Sequence, residues 1–149
     1  AGPRRHRREG SPRTPNTGVW DVESVAAELL ACEGERRYRH PFTNEWPDLD
    51  VATGYQIQDL NLARRLERGE RLIGLKLGLT SWAKQQRMGI HLPFVAWLTD
   101  DMVLPTGAPV PQSKLIHPRI EPEIVFVMGH RPGGPGVTCP APLGAVHTG

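Results

Sequence analysis

The chain has 149 residues, 38% of them apolar and 23% charged, with a formal net charge of +2. That length suits one domain with a core of its own, and the composition excludes a disordered chain. No apolar run approaches the ~20 residues that cross a bilayer, so no membrane role is expected. No apolar stretch follows the N-terminal arginines as a secretory signal requires, and Cys32 and Cys139 form no Cys-x-x-Cys pair and no zinc pattern with the six histidines, so the expected setting is reduced and cytoplasmic.

Residues 1–20 hold five arginines against Glu9, so the positive charge belongs to a tail and the remaining residues are net acidic. A tail of this kind attracts phosphates, but Arg4-Arg-His-Arg-Arg8 has no interleaved aromatics for base stacking. A flexible, solvated terminus is the expectation and nucleic-acid binding ranks low. Glycine and proline crowd the two ends, which are expected to be loop-like, and the folded portion lies between.

Asp21 is placed to cap a helix over about 22–33, with Val22, Val25, Ala26, Leu29 and Leu30 on one face and Gly34 ending it. Pro41 to Pro47 read as a polar loop dotted with aromatics. Asp50 then caps a second helix to about Arg68, stopped by Gly69, with Tyr55, Leu62 and Leu66 in a stripe and Arg64, Arg65 and Arg68 facing water.

Arg71 to Thr80 alternates as a strand. Ile73, Leu75, Leu77 and Leu79 share one face; Gly74, Lys76 and Gly78 share the other. Lys76 therefore stands between two residues without side chains, which clears room beside its ammonium. It reads equally as a catalytic or anion-binding lysine and as an edge-strand lysine that discourages aggregation. Thr80 or Ser81 caps a short helix closed by Gly89, and its N-terminus is a natural place for a carboxylate ligand. No sequence-placed base supports Ser81 as a nucleophile. Phe94 to Leu98 reads as another strand, Asp100-Asp101 as a turn rather than metal ligands, and His117 as structural or solvent-facing.

Ile120 to Val127 is apolar and β-branched and reads as a strand interrupted by Glu121 and Glu123. Residues two apart in a strand share a face, roughly 7 Å apart. Two carboxylates there repel each other and cost energy to bury, a cost that Mg²⁺ or Mn²⁺ offsets. Spacing alone also allows a half-exposed strand with a solvated acidic face.

Taken in order, Gly74-Leu-Lys-Leu-Gly-Leu-Thr-Ser81, Asp100-Asp-Met-Val103, Pro118-Arg-Ile-Glu-Pro-Glu-Ile-Val-Phe-Val127 and Gly134-Pro-Gly-Val-Thr138 resemble the 2-keto-4-pentenoate hydratase / 4-oxalocrotonate decarboxylase family of the fumarylacetoacetate hydrolase superfamily. Thr80-Ser-Trp-Ala-Lys84 and Ser113-Lys-Leu-Ile-His-Pro118 resemble the decarboxylase branch more, and the neighbourhoods of Pro41-Phe-Thr and Tyr55-Gln-Ile-Gln58 fit as well.

The resemblance implies an α+β fold, with N-terminal helices followed by part of a mixed β-roll of the fumarylacetoacetase C-terminal-domain type. It implies Mg²⁺ or Mn²⁺ held by Glu121, Glu123 and a third carboxylate, with Lys76 as the active-site lysine and Thr80 and Ser81 against the substrate. The implied substrate is a small 2-oxo acid, 2-oxohex-3-enedioate, which loses CO₂ to give 2-hydroxypenta-2,4-dienoate in meta-cleavage aromatic degradation. A homo-oligomer and a partner hydratase are implied in the same way.

After Thr138 the text departs from the family and ends in a proline-rich stretch. The expectation is thus a basic tail over 1–20, the N-terminal half of a hydratase/decarboxylase-like domain over 21–138, and an irregular, foreign tail over 139–149. Such a truncated chain, first residue Ala rather than Met, is expected to lack the third metal ligand, to be incomplete at its C-terminus and to have impaired activity. The alternatives are a 2-keto-4-pentenoate hydratase, which shares these parts, and a non-catalytic interaction remnant that folds without metal.

Overall fold

Asp21 starts the first helix by bonding its own first turn: its carboxylate accepts from the Ser24 amide at 2.8 Å, and the Ser24 hydroxyl accepts from the Asp21 amide at 2.9 Å. The computed structural model describes residues 20–129 and the backbone of 143–148; the basic tail, Cys139 and the Gly134–Thr138 motif lie outside the described residues. The chain divides into two units, Ala1–Ile116 and His117–Gly149.

In the first unit, helix α1 covers Val22–Glu35 and does not stop at the expected Gly34. Arg36 ends it instead, in the left-handed region at φ 53°, with its amide on the carbonyls of Cys32 and Glu33. Pro41 to Pro47 holds a 3-10 turn at Phe42–Asn44. Asp50 caps helix α2, Val51–Glu67, through the Thr53 amide at 2.8 Å. Gly69 follows its end at φ 96°, a conformation that favours glycine.

The core lies where the two helices meet that turn. Val25, Ala26, Phe42 and Ile57 are buried, with Trp20, Val22, Trp46, Leu49 and Leu60 packed against them. The Trp20 and Phe42 rings meet edge to face with centroids 4.9 Å apart, and the Arg39 guanidinium lies 3.2 Å from the Phe42 ring centre.

The expected α1 face is only partly inside, since Leu29 is 39% exposed. On α2 the buried residue is Ile57, not the expected stripe, and Leu66 is 42% exposed. The arginines also depart from expectation. Arg64 pairs with Glu23 of α1 at 2.5 Å, and Arg65 pairs with Glu33 of α1 and, at 3.3 Å, with Glu70. They tie the helices together because a guanidinium reaches across a helix contact that helical periodicity does not reveal.

Strand β1, Leu72–Gly78, pairs antiparallel with β2, Phe94–Thr99, in the register Leu75↔Trp97, Lys76↔Ala96 and Leu77↔Val95, with an irregularity at Leu72/Gly74. Helix α3, Trp82–Met88, lies between them in sequence and ends at Gly89 with φ 66°. Asp100 opens a 3-10 turn and closes the ladder: its carboxylate accepts from both the amide and the Nε of Arg71, each at 2.9 Å. Beside it, the fully buried Thr99 hydroxyl donates to Glu70 at 2.5 Å.

In the second unit, β3, Ile124–Met128, pairs antiparallel with β4, Leu143–Thr148, with Ile124 opposite Thr148 and Val127 opposite Ala145. Two expectations are corrected here. The expected strand start at Ile120 moves to Ile124, because Pro122 has no amide to give to a ladder and restricts Glu121 before it. The expected irregular ending instead contains β4. The architecture described is thus α+β, with a helix pair and two small antiparallel sheets.

Candidate active site

Lys76 sits near the C-terminal end of β1, opposite Ala96 and half-buried. Of the two glycines beside it on the strand face, Gly74 has open space where a side chain would stand. Gly78 does not: a Cβ there would lie 2.2 Å from the Phe94 ring. Room beside the lysine is thus open on one side and closed by an aromatic ring on the other, so only half of the expected clearing exists. Phe94 was not legible as a neighbour of Gly78, because register is set by pairing rather than by composition.

Beyond Gly78 the chain turns sharply. Leu79 takes φ 53°, which removes it from the strand face expected for it, and the Gln85 side-chain Nε2 donates to the Leu79 carbonyl at 2.6 Å. Thr80 and Ser81 follow, both exposed, with Ser81 as the N-cap residue of α3 and no side-chain capping bond. Asp100 serves the ladder as a structural carboxylate, and the Arg71 amide and guanidinium hold its pKa below the ordinary carboxylate range. Burial, then the Glu28 carboxylate, pushes the Cys32 thiol up, which suits an inert core thiol rather than a nucleophile.

In the second unit, Glu121 and Glu123 lie in the irregular segment leading into β3, and both are exposed. The argument that they share a strand face therefore does not hold in this structure. Among the described residues no three His, Cys, Asp or Glu side chains cluster for a metal. The donor chemistry nonetheless fits: two carboxylates are hard oxygen ligands, and Mg²⁺ commonly takes one or two of these and fills its shell with water and substrate oxygens.

Sequence reasoning missed the docking of α2 on β2. Tyr55, Gln58 and Asp59 bond to Val95 and Trp97. The signal available was Tyr55-Gln-Ile-Gln58, polar groups flanking the buried Ile57.

The chain is 45% identical over 115 residues to a 4-oxalocrotonate decarboxylase of Pseudomonas putida, covering 77% of this chain and 44% of that protein. It is 42% identical over 118 residues to a 2-hydroxypent-2,4-dienoate hydratase of Pseudomonas putida, covering 78% of this chain and 53% of that one. Among solved structures, the 4-oxalocrotonate decarboxylase of Pseudomonas putida G7 complexed with magnesium and adipate superposes with a TM-score of 0.71 at 38% identity, over 77% of this chain and 44% of that one. The same enzyme complexed with calcium and acetate gives the same score. No family model matches the chain.

Over the part it shares with them, the chain is similar to 4-oxalocrotonate decarboxylases and 2-keto-4-pentenoate hydratases, and it spans about half the length or less of the curated relatives it matches.

Proposed function

We propose that this chain is part of a metal-dependent decarboxylase acting on 2-oxohex-3-enedioate. The observation that carries this reading is the match to 4-oxalocrotonate decarboxylases, at 45% identity in sequence and a TM-score of 0.71 in structure. The adipate in the solved relative supports it, because adipate is a six-carbon dicarboxylate like the substrate, whereas the hydratase substrate carries a single carboxylate. The finer architecture fits the same proposal: the helices and β1–β2 belong to the helical part and mixed β-roll of the fumarylacetoacetase type.

The reaction is a vinylogous loss of CO₂. The bond from C5 to the distal carboxylate breaks, its electron pair shifts through the C3–C4 double bond, and the 2-oxo oxygen takes up a proton to give 2-hydroxypenta-2,4-dienoate. Glu121 and Glu123 are the residues that would hold Mg²⁺ or Mn²⁺. The ion supplies Lewis acidity toward the 1-carboxylate and the 2-oxo group. Lys76 holds a substrate carboxylate or donates a proton at the developing oxyanion. The Thr80 and Ser81 hydroxyls orient a carboxylate next to the turn that ends β1. A homo-oligomer and association with a partner hydratase belong to the same proposal.

The hydratase activity is the second reading, favoured by the 42% identity to 2-hydroxypent-2,4-dienoate hydratase. An assay separates them. For this chain, whose activity is expected to be impaired, the proposal expects slow Mg²⁺-dependent loss of the oxo acid's ultraviolet absorbance with stoichiometric CO₂, abolished by Glu123→Ala and strongly reduced by Lys76→Ala. Hydration of the dienoate without CO₂ release contradicts the decarboxylase reading. Activity indifferent to Glu123→Ala contradicts the metal assignment.

A further inference from the structure

Gln58 and Asp59 lie one turn after Tyr55 on α2, at i+3 and i+4, so all three side chains leave the same side of the helix. All three reach β2. The Val95 amide donates to Tyr55 Oη at 3.1 Å, Gln58 Nε2 donates to the Val95 carbonyl at 3.2 Å, and Trp97 Nε1 donates to Asp59 Oδ1 at 2.8 Å. One hydroxyl and one carboxamide therefore satisfy both main-chain groups of Val95, as a third strand would.

The register gives this a consequence. Val95 lies opposite Leu77 and Trp97 opposite Leu75, so the two gripped residues bracket Ala96, the partner of Lys76. Antiparallel pairs alternate the direction of their main-chain groups. With those of Val95 turned to α2, those of Ala96 turn to β1, opposite Lys76.

Apolar packing does little to fix this end of the ladder. Leu75 and Leu77 are 51% and 54% exposed. Asp100, Glu70 and Arg71 hold the other end, at Leu72 and Thr99. By contrast, α2 is a firm support, capped by Asp50 and anchored in the core by Ile57.

We propose that Tyr55 and Gln58 are positioning residues for Lys76, fixing β2 at Val95 and through it the place of the lysine on β1. The inference rests on the functional reading for what Lys76 does, but not for where it is held.

The test uses the full chain with ¹³C-labelled lysine and amide hydrogen exchange. In Tyr55→Phe, the Val95 amide is expected to exchange about tenfold faster, as befits one lost hydrogen bond. The Lys76 ¹³Cε resonance should shift as well. Arg64→Ala, which breaks the Glu23 pair on the far side of α2, should destabilise the chain without moving the Lys76 signal. If Tyr55→Phe leaves Lys76 where Arg64→Ala leaves it, the proposal is wrong. Should Tyr55→Phe fail to fold, Gln58→Met, which keeps the side chain's size and loses its donor to the Val95 carbonyl, is read by the Lys76 resonance against the same Arg64→Ala control. A shifted Lys76 resonance combined with full activity of Lys76→Ala would retain the positioning role and overturn the functional one.

Discussion

The helix pair and the strand that bears Lys76 solve different problems. Between α1 and α2, Val25, Ala26 and Ile57 are nearly or fully buried, and Arg64 and Arg65 bind acidic partners on α1. On β1, Ile73, Leu75 and Leu77 are each about half exposed, and the segment carrying Glu121 and Glu123 is exposed throughout. Stability therefore resides in the helices, while the groups suited to chemistry sit on thinly packed elements. Changes in the first region should alter folding, and changes in the second should alter ligand binding with little effect on folding.

The largest expected effect is on the helix side. Phe42→Ala removes a ring that packs on Trp20 and beneath Arg39, and should cost about 3 kcal/mol or more in urea denaturation followed by tryptophan fluorescence. Arg65→Ala should cost roughly 2 kcal/mol in the same experiment, because Glu70 then keeps the Thr99 hydroxyl but loses its cation. Asp50→Ala, which leaves the first turn of α2 uncapped, should cost about 1 kcal/mol.

The smallest effect is acid sensitivity. Asp21, Asp50 and Asp100 all have pKa values lowered by hydrogen bonds, the Ser24 side chain acting first on Asp21, the Thr53 amide on Asp50 and the Arg71 amide on Asp100. A carboxylate depressed in the folded state stabilises it above the unfolded pKa of about 4, and that contribution fades as pH falls through the folded value. Thermal melts should thus show no loss from these groups between about pH 5 and 8 and a decline below about pH 4, with Asp100→Asn shrinking the decline. A decline centred near neutral pH would break the assignment.

Local chemistry was legible wherever a few neighbouring residues decide the outcome. Asp21 and Asp50 cap as their positions require, and Gly69 and Gly89 take positive φ after their helices. The ordered motifs around Lys76 and Glu121-Pro-Glu123 carried the resemblance to proteins that the chain matches at up to 46% identity. What sequence did not disclose was set by distant partners: Arg64 and Arg65 on α1, Phe94 over Gly78, and Tyr55 and Gln58 on Val95. The start of β3 is a different failure. Pro122 stood in plain view, and its missing amide outweighs the β-branched run that argued for a longer strand.

The most direct test of the central claim is calorimetric titration of Mg²⁺ into the chain with oxalate present, alongside Glu121→Ala. Oxalate offers the paired oxygens of a 2-oxo acid. Saturable binding that Glu121→Ala abolishes, with the thermal melt of the variant unchanged, is the predicted result. Binding that persists in Glu121→Ala, or no binding in the parent chain, would contradict the assignment of these two carboxylates to a metal.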